Sequence, residues 1–528
     1  MTETNLAVSQ TSSAPVAHRS RDAVGALFRI ESVRLLRHPA VLTGIFFYLA
    51  LWAYEWGTGA LLHRYPILQD EDRYSQVPLL LIAVGAFVGS NLIATRAQRS
   101  GVASVTDLFA LAPWLRTLAQ LLMPLPLAVL SGLLVSGRIA HLAAMPGAVG
   151  QPSPLEMATG PLVVLLAGVA GVAVGRLTPM VSVSPLVILG MAVFTLVGAV
   201  TLSRPMLKWW GLIAIEDEFE PPLPADLMYR PVAMHLVYLA ACAAVCCATA
   251  LAQSGIRRRI GVTAVGVTMV LAAVAGSAQS VTLPEDIASR RVAAERQPSP
   301  QQVCQTVNMV TYCAFPDFEE RIGQWSKVAD GVLRHTPPTA IADRYVVRQR
   351  LLFGTATGGL SISPPLAAWA ADDAQAGTPG SVPIGTKWGT DQIGGDAMLS
   401  FAGHFAARVV TGDPPTEETT LSVCGSRAVV VLWLAATATE ETTAALHSLL
   451  PRTGGSVVLP LLDSSVALSI GRQEVLMVRS LLDRPVDQVS EQVIANWDEL
   501  TRPETDTERA ASLLDTRVQG AAAEGARC

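Results

Sequence analysis

Apolar residues gather in the first half of the chain into seven runs separated by short polar connections, at 39–62, 77–95, 118–136, 159–175, 181–202, 231–252 and 260–281. Each has the roughly 17–25 residues that an α-helix needs to cross the hydrocarbon layer of a bilayer. In lipid only a helix satisfies its own backbone groups within a single segment, so runs of this length predict membrane-spanning helices. The alternative is a set of buried helices in a large soluble core, and seven runs before residue 282 are too many for it.

Beyond the last run the pattern changes. Residues 284–300 read as a charged, Ala-rich connector with helical character. QTVNMVTYCAF has the β-branched content of a strand, and RYVVRQRLLF reads as another. From Phe318 onward, Ile322, Trp325, Val328, Ala329, Val332 and Leu333 fall on one helical stripe. Residues 354–389, rich in Gly, Pro and Ala, predict long loops. Helical patterning returns at 398–410, at 428–436, and in Val486, Val489, Val493, Trp497 and Leu500 on one face. AVVVLWLAA is too short to cross a bilayer and is expected to be the core helix of this second part. The tail after Arg502 predicts one more helix before Ala/Gly-rich sequence.

Charge placement orients the spans. Arg19, Arg21, Arg29, Arg34 and Arg37 precede the first, Arg96 and Arg99 follow the second, Arg176 follows the fourth, and Arg257, Arg258 and Arg259 follow the sixth. The alternate loops carry Asp70, Glu71 and Asp72, then Glu216, Asp217, Glu218 and Glu220, with Arg64, Arg73, Arg138, Arg204 and Lys208 among them. By the positive-inside rule the N-terminus and the arginine-rich loops are expected in the cytoplasm. Trp52, Trp56, Trp209 and Trp210 lie near the expected outer ends, as an aromatic belt would. The first forty residues lack a cleavable signal pattern, so the first span is expected to act as an anchor. The last span, with its basic start and small residues Gly276 and Ala278 near its end, also resembles an internal signal sequence; the expectation is that it stays uncut.

The expected architecture is therefore an all-α polytopic membrane protein of about seven transmembrane helices, followed by an α-rich extracytoplasmic domain with a small β element. The parts are a cytoplasmic segment at 1–38, a transmembrane domain at 39–281, an extracytoplasmic domain at 282–502 and a tail at 503–528.

Composition agrees. Of 528 residues 51% are hydrophobic and 15% charged, with a mean hydropathy of +0.40, too apolar for an ordinary soluble enzyme. The only lysines are Lys208, Lys327 and Lys387, a bias typical of GC-rich coding DNA that says little about arginine chemistry. A formal charge of −5 gives no case for nucleic acid, which demands basic stripes. Cys242, Cys246 and Cys247 lie within the sixth span as packing residues. Cys304 and Cys313 flank a short strand-like segment on the exported side, where disulfides persist, and are the disulfide candidate. Closing so small a loop stabilises by roughly 3 kcal/mol in the chain-entropy model. Cys424 and Cys528 stay unassigned.

Catalytic patterns are weak. GSVPIGTK, from Gly380, resembles a phosphate loop, but Thr386 stands where the lysine must follow the second glycine. His404, in GHFAA, lacks the Glu and second His of a zinc-protease helix, and His335 and His447 are isolated. Glu319 and Glu320 open an amphipathic helix, where carboxylates favour the positive end of the dipole. No ionisable residue falls near the middle of a span, which argues against an ion-coupled carrier.

The most informative stretch is RAQRSGVASVTDLFALAPWLRT, held between the second and third spans on the expected cytoplasmic side. Val102, Val105, Leu108 and Phe109 share one helical face, Asp107 is exposed, and Pro113 is expected to end the helix before Arg116 re-enters the membrane. Arg99, Gly101, Thr106, Asp107, Leu108, Leu111, Pro113 and Arg116 resemble the coupling region in permease subunits of ABC-type exporters of the ABC-2 kind. The resemblance covers the first six spans, to about Ala252; GVASVTD spreads apart a Gly-Thr-acid pattern that is tighter in the family, and the seventh span and outer domain are additions. It implies a coupling helix of Gly101, Val105, Thr106, Asp107, Leu108, Phe109 and Pro113 docking onto a separate ATPase subunit, a permease homo- or heterodimer within membrane lipid, and no cofactor in this chain. The rival expectation is a membrane-anchored extracytoplasmic binding or sensing protein.

Overall fold

The computed structural model describes residues 16–58, 65–101, 111–178, 183–200, 209–214, 222–280, 283–341, 345–353, 363–389, 397–413, 421–453, 455–462 and 464–517. A leading helix, α1 (Val16–Leu36), precedes the membrane bundle. The bundle is built from α2 (Pro39–Thr58), α3 (Leu68–Tyr74), α4 (Leu79–Ala94), α5 (Pro113–Leu122), α6 (Leu125–Ala143), α7 (Pro154–Leu177), α8 (Val183–Val200), α9 (Val232–Ala252) and α10 (Arg258–Gln279). The α3–α4 and α5–α6 pairs each run on as one candidate span, giving six helices long and apolar enough to cross a membrane among the described residues. Pro78 and Pro124 mark the two breaks, because proline removes a ladder donor and crowds the preceding turn. The 18 residues of α8 reach about 27 Å, close to a bilayer core.

α4 lies at the centre of the bundle, against α2 on one side and α7 on the other, while α9 packs on α7 and α10. Without a hydrophobic driving force between helices in lipid, close backbone approach is what binds them, and it needs small residues. A Cβ on Gly44 would lie 2.6 Å from the Leu81 carbonyl oxygen, one on Gly85 2.5 Å from that of Ala40, and one on Gly171 2.3 Å from that of Phe87. The outer faces stay apolar and exposed, as at Leu186 and Leu189 of α8 and Val262, Val267, Val270 and Val274 of α10.

The alternation of sides is legible in the contacts. Ile67 forms an isolated bridge with Val149, so the loops after the first and third spans meet. Gly150 N–H donates to the Asp317 carbonyl at 3.0 Å and Ala225 N–H to the Asp317 carboxylate at 2.6 Å. Leu223 and Leu227, from the loop before α9, share an apolar cluster with Phe315, Phe318 and Leu351 of the C-terminal domain. Three alternate loops thus lie on the domain's side. On the opposite face Thr117 donates to Ser254 at 2.8 Å and Arg176 to Gln120 at 2.6 Å. The chain leaves α7 on that far face and is back on the domain side at Trp209, whose carbonyl accepts from Gln279 at 2.6 Å. α8 is the apolar helix between these two points of the chain.

The domain begins with α11 (Glu285–Arg296), the connector helix expected from the sequence. Its first sheet has the order β1 (Val303–Val307), β2 (Val310–Ala314), β3 (Tyr345–Gln349), β4 (Val382–Ile384), antiparallel between β1 and β2 and parallel thereafter. Around it pack α12 (Ile322–Arg334), α13 (Leu366–Gln375) and α14 (Ala397–Thr411). The central helix is α15 (Gly425–Thr437), and every residue from Ala428 to Ala436 is buried. Although α15 and the sharply bent helix after it have an apolar composition together, α15 is enclosed by α12, α14, α17 (Arg472–Leu482) and α19 (Thr507–Leu513), so it is the centre of a globular core. Between them lie α16 (Glu440–Leu449) and α18 (Val486–Ala495), and a second sheet of order β5 (Leu421–Ser422), β7 (Ala467–Ile470), β6 (Val457–Pro460).

Several expectations are corrected. Residues 354–389 are not all loop: they contain α13 and β4. QTVNMVTYCAF is a hairpin whose turn is Asn308–Met309, with Asn308 at φ 53°. Phe318 to Arg321 form a 3-10 turn before α12. The second sheet was not expected, because strands of 2 to 4 residues leave almost no alternation to read. Pro113 opens α5, where its missing N–H costs nothing, and the helix expected before it lies outside the described residues.

Candidate functional site

Two surfaces hold the polar chemistry of the bundle, one at each end. On the far face, the second span closes through a short helical turn, Arg96–Arg99, and Gly101 adopts φ 70°, a left-handed conformation that glycine takes without steric cost. The chain is described again from Leu111, and Pro113 starts α5. Of the coupling-helix residues expected from the sequence, Gly101 and Pro113 stand at the two edges of this segment. Val105, Thr106, Asp107, Leu108 and Phe109 lie outside the described residues. The edges are anchored. Glu31 of α1, nearly buried, accepts from Arg34 at 3.1 Å and pairs with Arg96 at 3.7 Å. α1 also packs along α5, and Thr117 of α5 ties to the end of α9 through Ser254.

At the domain end the sequence pattern hid a buried charge network. Glu156 sits in the first turn of α7, where Ser153 caps the helix, and receives a two-pronged contact from Arg73 at 3.0 and 3.2 Å. Gln76 donates to the Glu156 carbonyl at 2.6 Å, and Ser153 N–H donates to Asp72 at 2.8 Å. Arg230 reaches Asp70 at 3.1 Å and Asp72 at 3.5 Å and donates to the Gln69 carbonyl. Charges this deep are tolerated because each meets an opposite charge and further hydrogen bonds. Arg138 of α6 also meets Glu55 of α2 at 2.7 Å, both nearly buried, without hydrogen-bond alignment. Arg138, assigned to a loop from the sequence, is therefore inside a helix.

The segment 209–214 is drawn into the bundle beside this network. Gln279 Nε2 donates to Trp209, leaving its Oε1 to accept from His235 Nδ1 at 2.9 Å, and His235 Nε2 lies 3.3 Å from the Leu212 carbonyl. The domain is latched from above by Arg321, fully buried, which donates to the Tyr65 carbonyl at 2.8 Å and to the Thr386 carbonyl. Burial pushes its guanidinium down to about 9, still protonated at neutral pH.

No family model, curated protein or solved structure matches this chain.

The remaining candidates resolve into structure. Cys304 and Cys313 are bridged, with S–S 2.04 Å. Cys424 is disulfide-bonded as well, Cys528 lies outside the described residues, and Cys242, Cys246 and Cys247 are free. GSVPIGTK is no phosphate cradle: its centre is β4, and the Thr386 carbonyl is spent on Arg321. His404 is a core histidine, bonded to the Leu459 carbonyl at 3.2 Å, and burial pushes it down to about 4. His335 bonds Ser490 at 2.9 Å and packs edge-on against Trp433. Arg348 of β3 and Arg350 just beyond it clamp Asp372 and Asp373 of α13 at 2.7 to 2.9 Å, a buried ionic core that the sequence reading missed. Glu216, Asp217, Glu218 and Glu220 lie outside the described residues.

Proposed function

We propose that this chain is the membrane-spanning subunit of an ABC exporter, moving its substrate across the cell membrane with energy from a separate ATPase subunit. The observation that carries the reading is the two-ended construction of the second span. Its far end is the arginine-rich turn leading into the Gly101–Pro113 segment, and its domain end is the Asp70–Arg73 network beneath the C-terminal domain. The positive-inside rule assigns the arginine-rich face to the cytoplasm, and so places the domain outside.

In this mechanism ATP binding closes two copies of the ATPase. The Gly101–Pro113 segment, seated on the ATPase, carries that motion into α4 and α5. A helix transmits displacement along its length, so a shift at Arg96 reaches Asp72 and Arg73, where the pairings with Arg230 and Glu156 and the Ile67–Val149 bridge set how the bundle closes against the domain. A second permease copy completes the path. ATP hydrolysis belongs to the partner, and this chain supplies the route.

Leu108→Glu tests the reading. A charge in a buried docking contact costs several kcal/mol unless it is paired or neutralised. The variant is expected to reach the membrane at wild-type levels, yet neither to copurify with the ATPase nor to stimulate it. Wild-type complex and stimulation would remove the coupling assignment and favour the rival, an anchored binding or sensing protein whose domain is the active part.

A further inference from the structure

Among the described residues, the domain carries an unpaired sheet edge beside an acidic cavity. β1 is the outermost strand of its sheet, and its first four residues are exposed. The hairpin turn has two central residues, so Val307 and Val310 close the ladder as a hydrogen-bonded pair. By antiparallel alternation, Cys304 and Thr306 then turn their N–H and C=O groups away from β2, toward the open edge. The 4.0 Å Cα–Cα separation of Cys304 and Cys313 fits the close, non-hydrogen-bonded position that this register requires. The disulfide and the Thr306–Thr311 hydroxyl contact at 3.0 Å pin β1 to β2, so the edge is held in strand geometry.

The opposite face of β1 opens on a cavity of about 460 Å³ lined by Gln305, Val307, Pro316, Glu319, Glu320 and Gly323. Gln305 and Val307 share this face with Val310 and Tyr312, which pack over α12. Glu319 and Glu320 are exposed, and neither has a cationic or hydrogen-bonding partner among the described residues. Asp317, in the same 3-10 turn, is already committed to the loops of the membrane bundle, which brings the cavity to the junction between domain and bundle.

We propose that this edge captures an extended cationic peptide segment by strand addition. A strand laid about 4.8 Å outside β1 would pair its backbone with Cys304 and Thr306. Every second side chain would then point to the cavity face, and a lysine or arginine there reaches Glu319 and Glu320. Backbone pairing supplies the register and the two carboxylates select positive charge. The site does not rest on the transport reading, since a capture surface serves a binding protein equally.

The test uses the full chain in nanodiscs, without ATPase, and short labelled peptides alternating lysine with threonine. Binding is expected for the lysine peptide, and not for the same peptide with glutamate in place of lysine. N-methylation at alternate residues, which removes the ladder donors, is expected to abolish it. The combined change Glu319→Gln and Glu320→Gln keeps volume and removes both charges, and should weaken binding by roughly tenfold. Gly323→Tyr, at a position where a Cβ meets nothing within 4 Å, should block the cavity with the fold intact. Equal binding of the glutamate peptide, indifference to N-methylation, or full affinity in both variants would overturn the proposal.

Discussion

His404 shows how a single residue carries a pH dependence into the domain. It is buried on α14, its ring donates to the Leu459 carbonyl, and its pKa falls from 6.5 to about 4 because burial disfavours the charged form. The folded state therefore binds the proton less readily than the unfolded chain. The stability this gives is fully present above about pH 6.5 and is lost as pH falls toward 4, by roughly 3 kcal/mol over that window. The thermal midpoint of the domain should drop steeply between those values, and His404→Gln, which keeps a donor and removes the titration, should flatten the curve. An unchanged slope in the variant would place the acid sensitivity elsewhere. At this scale the sequence was readable where partners are near one another: Cys304 and Cys313, separated by 9 positions, were evident from spacing and compartment. Arg73 and Glu156 were not, because 83 positions separate them and each looked like ordinary charge flanking an apolar run.

At the scale of elements, the spans were legible because composition alone decides whether a helix can enter lipid. Which helices touch was not, since contact in a membrane depends on where small residues meet. Gly171 is the clearest case: α7 approaches α4 so closely that any side chain there strikes the Phe87 carbonyl. Gly171→Leu should separate α7 from α4 and lower the unfolding temperature of the detergent-extracted protein. The expected cost is about 1–3 kcal/mol, typical of overpacking. Gly190→Leu, at an exposed position of α8 with open space around it, serves as the control and should change little. Equal midpoints for both variants would contradict the packing described. In the domain, α12, α14 and α15 followed from helical stripes, and β3 from a β-branched run. The 3-10 turn at Pro316–Arg321 and the short second sheet did not, because their geometry is set by tertiary contacts such as Arg321 with Tyr65.

At the scale of the whole molecule, a polar network seals one end of the bundle to a folded domain, and an arginine-rich segment stands at the other. The order of the parts was readable from hydropathy and charge. The junction was not, since Asp317, Arg321, Leu223 and Leu227 acquire their roles only when loops far apart in sequence converge. The proposed function needs these two ends to face opposite compartments, energy entering at one and the domain acting at the other. Topology reporters fused after Gln253, at the far end of α9, and after Arg502, in the domain, measure this directly. A cytoplasmic signal at Gln253 with an exterior signal at Arg502 is the predicted result, and both reporters on one side of the membrane would contradict it.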